Sequence, residues 1–150
     1  MSALINISSW NEVKGLIKPI RVKVFVIEQH VPEELEWDEY DESAWHAVAK
    51  LNEQVVGTGR LILDQSKAKI GRMAVDKNCR GKGVGSEILR ALINLGKEKG
   101  AQEFFLHAQT HAIAFYAKEG FETYGPIFDE AGINHIEMKL SFKTQSSLKL

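Results

Sequence analysis

The sequence predicts an α/β domain of the α+β type, a mixed sheet flanked by helices, on three observations. A strand-like run from Ile70 to Val75 is followed by a glycine-rich loop and then by a long amphipathic pattern that starts at Val84. Before it, two strand-like runs flank a short polar turn, as in a hairpin. After it, short apolar runs and one short helical pattern follow in the order strand, helix, strand, strand. Helices and strands interleaved in this way bury their apolar faces by packing helices on a shared sheet. At 150 residues the chain is long enough for one domain with a substantial core. Residues 1–143 form the expected domain and residues 144–150 a polar C-terminal tail.

The elements follow in order. Ser8 or Ser9 caps a first helix through Asn11 and Glu12, with Val13, Leu16, Ile17 and Ile20 on one face and Pro19 as a break or joint. The run from Arg21 to Gln29 suits a strand by composition, and residue types alone leave strand and helix open. His30 to Glu42 reads as an acidic loop containing proline. Trp45 to Leu51 and Val55 to Leu63 form the hairpin across Asn52, Glu53 and Gln54. Asp76, Lys77 and Asn78 turn the chain after the strand ending at Val75. The helix from Val84 carries Ile88, Leu89, Leu92, Ile93 and Leu95 at helical spacing and stops before Gly100. Phe104 to Ala108 is a buried strand, Ala112 to Glu119 a short helix and Phe121 to Tyr124 a strand. In His135 to Leu140, Ile136, Met138 and Leu140 alternate with polar residues, as in a last strand.

The loop between strand and long helix carries the chemistry. Gly81, Gly83 and Gly85 lack a Cβ and let a ligand approach the backbone, while Arg80 and Lys82 add positive charge. A helix N-terminus presents unpaired amides to an anion, so the expected ligand is a diphosphate. No Gly-Lys-Ser/Thr occurs, which excludes an ordinary P-loop nucleotidase. A dinucleotide fingerprint fails at its last position, which is Ser86 or Ile88 depending on the starting glycine. Glu103 lies about twenty residues on but precedes the next strand, where that fold places its ribose-binding acid at the strand's far end.

What remains is Arg80-x-x-Gly83-x-Gly85 after a strand ending Met73-Ala74-Val75. In this the chain resembles the GNAT superfamily of N-acetyltransferases. A second matching block is Leu106-His107-Ala108-Gln109 with Phe115-Tyr116-Ala117-Lys118-Glu119-Gly120-Phe121. Further pieces, Val24-Phe25-Val26-Ile27-Glu28-Gln29, Asp38 with Asp41, and Phe128-x-Glu130-Ala131-Gly132-Ile133-x-His135, extend the similarity over nearly the whole chain and resemble the ElaA/YjcF-like branch. The resemblance implies a GNAT acyl-CoA N-acyltransferase fold, with a mostly antiparallel sheet splayed at the cofactor strand. It favours a helix over residues 21–29 and implies acetyl-CoA as co-substrate. On that basis Met73 and Val75 meet the pantetheine arm, the Ala74 or Val75 amide faces the acetyl oxygen, and Arg80, Gly81, Lys82, Gly83, Val84, Gly85 and Ser86 hold the diphosphate.

Acetyl transfer needs a neutral attacking amine, a donor for the developing oxyanion and a proton for the departing thiolate. Much of the acceleration comes from holding the reactants together, worth roughly 7–11 kcal/mol in ideal intramolecular models. Tyr116 is the candidate acid, because a phenol of reference pKa about 10 keeps its proton beside a thiolate. The competing reading is a core aromatic on an amphipathic helix. His135 is the candidate base, since an imidazole is suited to accepting a proton near neutrality; a plain loop histidine is the alternative. His107 is a candidate pocket residue, and His46 reads as structural. The histidine spacing and the single Cys79 offer no zinc site, and no metal is expected.

Signals for the acceptor conflict. Glu36 or Asp38 in the acidic loop suits a cationic amine, whereas Arg21 and Arg72 suit a carboxylate or phosphate. Buried ion pairs are the alternative for each, and Arg60 shares the ambiguity. A small-molecule amine is expected, its identity open between amino acid-like and polyamine-like. The formal net charge of −1 argues against nucleic acid or an anionic membrane as partner, and no apolar run approaches the roughly 20 residues of a membrane span. The start lacks a secretory pattern and one cysteine forms no internal disulfide, so the expected setting is the cytoplasm. Oligomeric state is not legible in the residues; the resemblance suggests a homodimer. The leading class is therefore an N-acetyltransferase, with a non-catalytic acetyl-CoA-binding or sensing module as alternative and a dinucleotide oxidoreductase as a third.

Overall fold

A computed structural model describes residues 2–142. The strands are β1 (Leu4–Ser9), β2 (Trp45–Leu51), β3 (Gln54–Asp64), β4 (Lys67–Val75), β5 (Glu103–Gln109), β6 (Glu122–Glu130) and β7 (Ile133–Ser141). Among the described residues they form one sheet in the order β1-β2-β3-β4-β5-β7-β6. Every neighbouring pair is antiparallel except β4 and β5, whose parallel pairing ends at Ile70 opposite Leu106. Beyond Ile70 the two strands part, as the resemblance implied. The expected tail at residues 144–150 lies outside the described residues.

β1 was not expected, and the chain reaches it before the helix. α1 (Trp10–Arg21) follows directly; Ser9 has the extended cap conformation, but its side chain makes no cap bond. Pro19 neither ends nor breaks α1, which continues to Arg21 and passes into a π-helical segment, Val22–Glu28. That settles the open choice over residues 21–29 in favour of helix, of an uncommon kind found mostly near functional sites. The acidic loop contains α2 (Glu33–Glu36). The hairpin turn is made by Asn52 and Glu53, both at positive φ (51° and 67°), the mirror-image turn that matches strand twist.

α3 (Val84–Glu98) covers one face of the sheet. Its Ile88, Leu89 and Leu92 are fully buried against Leu61, Ile70, Leu106 and Met138. Each such side chain contributes about 1.5–3 kcal/mol by leaving water. α1 packs on β2, β3 and β4 from the other side, with Val13 and Ile17 against Val48, while Ile20 and Val24 join Ala74. α4 (Ile113–Ala117) follows β5 through a short 3-10 turn. Side chains alternate along a strand, so Arg60, Ile62 and Lys69, and beyond the splay His107, His135 and Glu137, lie on the face opposite α3. The β5–β7 part of that face borders the cleft described next.

Candidate active site

One continuous cleft of about 1440 Å³ joins the loop at residues 80–86, the splay between β4 and β5, and the hairpin of β6 and β7. A pocket for a single small ligand is roughly 300–1,000 Å³, so this one has space for two reactants. Met73, Ala74, Val75, Arg80, Gly81, Gly83, Val84, Gly85 and Ser86 all border it, as do Tyr116 and His135. Lys82 is exposed and does not line it.

The cradle is built by backbone. Gly81 and Gly83 have φ of 79° and 85°, a left-handed conformation that disfavours any side chain. A Cβ at either would meet nothing within 4 Å of protein, so conformation and not crowding requires glycine there. At Gly85 the reason differs, because a Cβ would stand 3.1 Å from the Phe115 ring. The first backbone bond of α3 runs from the Glu87 N–H to the Gly83 carbonyl at 3.0 Å. The amides of Val84, Gly85 and Ser86 therefore have no helical acceptor and face the loop. This donor set fits a diphosphate.

Arg80, which lines the cleft, is also held from the side. Its two Nη groups donate to both oxygens of Glu28 at 2.6 and 2.7 Å, and its Nε donates to the Val75 carbonyl at 3.0 Å. The pairing holds the Glu28 carboxyl below the usual carboxylate range. Lys23 similarly holds Asp76 at 2.7 Å. These two pairs tie the π-helical segment to the loop, so Arg80 braces the cradle. Just before it, the Asp76 N–H donates to the Val56 carbonyl at 2.8 Å. In an antiparallel pair this alternation turns the Val75 N–H away from β3 and into the splay. Of the two amides proposed for the acetyl oxygen, that of Val75 has this orientation.

Tyr116 on α4 is buried between Phe115 and Phe121, ring centroids 4.9 and 6.1 Å away. Burial pushes its pKa up to about 12. His135 stacks on Phe128 and is 6% exposed. Its Nδ1 lies 2.8 Å from the Ile133 carbonyl, which can only accept, so Nδ1 carries a hydrogen and in the neutral ring Nε2 holds the lone pair. Nε2 faces the Glu130 carboxylate at 3.8 Å. Glu130 also binds His107 Nδ1 at 2.8 Å, and that contact lowers its pKa. Sequence reasoning gave Glu130 no role, because only the registers of β6 and β5 on β7 bring it to the two histidines. It also missed Gln29, whose side chain accepts from the Gln109 amide at 2.9 Å and links the π-helical segment to β5.

The expected acceptor residues divide. Arg72 and His107 line the cleft, half-buried. Arg21 does not: it is fully buried between the rings of Trp10 and Trp37, at 5.6 and 5.0 Å. It donates to Glu36 Oε2 and Asp41 Oδ1, each at 2.8 Å, and its expected substrate contact is corrected to a structural one. Glu36 borders the cleft but is 3% exposed and held by Arg21. Burial raises its pKa against the pull of Arg21, so it is a poor anchor for a cationic amine. His46 is buried too, donating from Nε2 to the Asp41 carbonyl at 2.8 Å, and burial lowers its pKa.

A sheet splayed beside a glycine-rich helix start, with a cleft meeting both, defines a GNAT-type acyltransferase. The family model described as an acetyltransferase (GNAT) domain matches residues 13–142, and the chain belongs to that family. The uncharacterised N-acetyltransferase YjcF of Bacillus subtilis is 40% identical over 120 residues, covering 79% of this chain and 86% of YjcF. The crystal structure of Escherichia coli ElaA superposes with a TM-score of 0.82 at 24% identity, covering 91% of this chain and 98% of ElaA. An acyl-CoA N-acyltransferase from Pseudomonas aeruginosa gives 0.80 at 28% identity, covering 92% and 99% of the two chains. The chain is thus a GNAT N-acetyltransferase of the ElaA/YjcF-like branch.

Proposed function

We propose that this protein moves an acetyl group directly from acetyl-CoA to the amine of a small acceptor, with Tyr116 as acid and His135 as base. The observation that carries the reading is the convergence of both side chains and the unpaired amides of Val84, Gly85 and Ser86 on one cleft. Bound acetyl-CoA supplies a thioester carbonyl as electrophile. Gly81, Gly83 and the three amides hold its diphosphate, with Arg80 and Glu28 keeping the loop in shape. Met73 and Val75 border the pantetheine arm, and the Val75 N–H donates to the acetyl oxygen. His135 Nε2 takes a proton from the attacking amine while Glu130 stabilises the resulting imidazolium. The Tyr116 hydroxyl, kept protonated by burial, donates to the sulfur that leaves. Among the described residues no cluster of His, Cys, Asp or Glu is arranged to hold a metal, and no helix is long and apolar enough to cross a membrane. The proposed chemistry assigns no step to a metal. The lone Cys79 supports a reducing, cytoplasmic setting. A homodimer remains the association to test by sedimentation.

Thiol release from acetyl-CoA, followed over a panel of primary amines, tests this reading. At least one amine is expected to raise release well above hydrolysis, and Tyr116→Phe and His135→Ala to lower kcat by 10²–10⁴-fold, the usual worth of proton transfer. Unchanged rates in both variants remove the two assignments. Tight acetyl-CoA binding without turnover on any amine points instead to a sensing module.

A further inference from the structure

The part of the cleft lined by Arg60 and Arg72 is incompletely paired. It is built by a bulge. Thr58 pairs with Ala74 and Arg60 with Gly71, so Arg72 and Met73 together oppose Gly59 alone. Arg72 has φ of 49°, a conformation that costs a non-glycine residue about 1–2 kcal/mol. Along an unbroken strand Arg72 would share the face of Ile70, toward α3. The bulge instead directs it to α2, where Nη2 donates to Asp38 at 3.1 Å and Nε lies 3.2 Å from Glu36. Arg60, from the neighbouring strand, donates through Nη1 to Asp38 at 2.7 Å and Asp41 at 3.1 Å.

These acids are shared. Three guanidiniums, of Arg21, Arg60 and Arg72, face three carboxylates, of Glu36, Asp38 and Asp41, and Arg21 takes the best contacts of two. Among the described residues, Nε and Nη2 of Arg60 and Nη1 of Arg72, on two side chains that line the cleft, are left without a hydrogen bond. The Nε of Arg60, a side chain only 6% exposed, is the one sealed side-chain nitrogen or oxygen among the described residues with no hydrogen-bond partner. Arg72 Nη1 also makes no bond among them. Burial, followed by the repulsion of Arg60, lowers the pKa of Arg72 despite its acidic neighbours. An anion beside Arg72 relieves that repulsion and gives Arg72 Nη1 an acceptor, while the sealed Arg60 contributes its charge.

From this pairing deficit we infer that the acceptor amine carries a carboxylate, received by Arg72 beside the charge of Arg60, with its nitrogen toward His135 and Glu130, which line the same cleft. A planar carboxylate suits guanidinium donors, and one negative charge suits a cluster whose own charges are nearly balanced. A phosphate dianion would leave excess negative charge in a half-buried site. The acceptor class is therefore amino acid-like, since a polyamine brings further positive charge to Arg72 and no acceptor. This inference rests on the reading of the protein as an N-acetyltransferase of small amines.

Matched probes test it. Wild type is assayed for thiol release with pairs differing only in the carboxylate, such as phenylalanine with phenethylamine, arginine with agmatine and β-alanine with ethylamine. Aminoethylphosphonate is the phosphate-like arm. In at least one pair the carboxylated member is expected to have kcat/KM about 100-fold above its partner. Arg72→Gln is expected to bring that ratio close to one, and Arg72→Lys to give a value between. Acetyl-CoA binding by calorimetry shows that each variant is folded. Equal or better turnover of the decarboxylated members overturns the inference while the enzyme class stands, as does a preference for the phosphonate. An Arg72→Gln variant that slows both members of a pair equally overturns it too. Turnover of no amine at all, with acetyl-CoA bound, overturns the enzymatic reading and this inference together.

Discussion

His135 Nε2 faces Glu130 Oε2 at 3.8 Å while His135 Nδ1 is fixed on the Ile133 carbonyl at 2.8 Å. One nitrogen is thereby anchored and the other left as a proton acceptor beside an anion. Glu130→Gln keeps the size and removes the charge, so an imidazolium there loses its neighbour. The kcat is expected to fall, because the positive charge the ring gains from the attacking amine is then less stabilised. Glu130 is 44% exposed and solvent screens it, so the fall should stay under about tenfold. An unchanged kcat, measured with a saturating acceptor, removes Glu130 from the base's environment.

Arg21 gives a prediction about stability. Arg21→Ala leaves Glu36 and Asp41 buried without their main partner, which typically costs 3–5 kcal/mol. Thermal unfolding should show a large drop in Tm. If the variant instead keeps wild-type Tm and loses acceptor affinity, Arg21 is a ligand after all.

The loop glycines separate conformation from contact. Gly83→Ala places a Cβ in open space but at φ of 85°, so the cost is backbone strain of about 1–2 kcal/mol. Relief of that strain moves the amides of Val84 to Ser86, and KM for acetyl-CoA is expected to rise more than kcat falls. A change in kcat alone would place the diphosphate elsewhere.

Tyr116 makes an alkaline prediction. Its folded pKa is about 12 against a model value of 10.0, so between those values the unfolded chain has lost a proton that the native one keeps. The native state then binds more protons, and stability falls as pH rises through that window. The loss from this group is about 1 kcal/mol by pH 11. Tyr116→Phe lacks it, so urea unfolding at pH 9 and 11 should show a smaller loss in the variant than in wild type. Equal losses would mean that the hydroxyl is not buried as described.

The sequence displayed the cofactor side better than the acceptor side. The cradle is local: three glycines and a helix start within a few residues, which period and turn chemistry reveal. Strands with clean alternation, such as β7 with Ile136, Met138 and Leu140, were equally readable. The segment from Val22 to Ile27 was not, because its β-branched residues suit a strand while packing of Val24 and Phe25 beside Ala74 requires helix. β1 passed unnoticed because its apolar residues, Leu4, Ile5 and Ile7, merge into the start of the next helix. Arg21 misled for a related reason: only the fold brings Trp10, Trp37, Glu36 and Asp41 around it. Tyr116 and His135 were named through family resemblance, whereas Glu130 depends on a hairpin register that residue types do not encode.

The central claim is that backbone amides at the start of α3 and the Tyr116 hydroxyl serve one bound cofactor. A crystal structure of the protein with coenzyme A tests it most directly. The account predicts the diphosphate within hydrogen-bond distance of the Val84, Gly85 and Ser86 amides, and the sulfur beside Tyr116 in the splay after Ile70. A diphosphate bound away from that loop, or a sulfur out of reach of Tyr116, would contradict it.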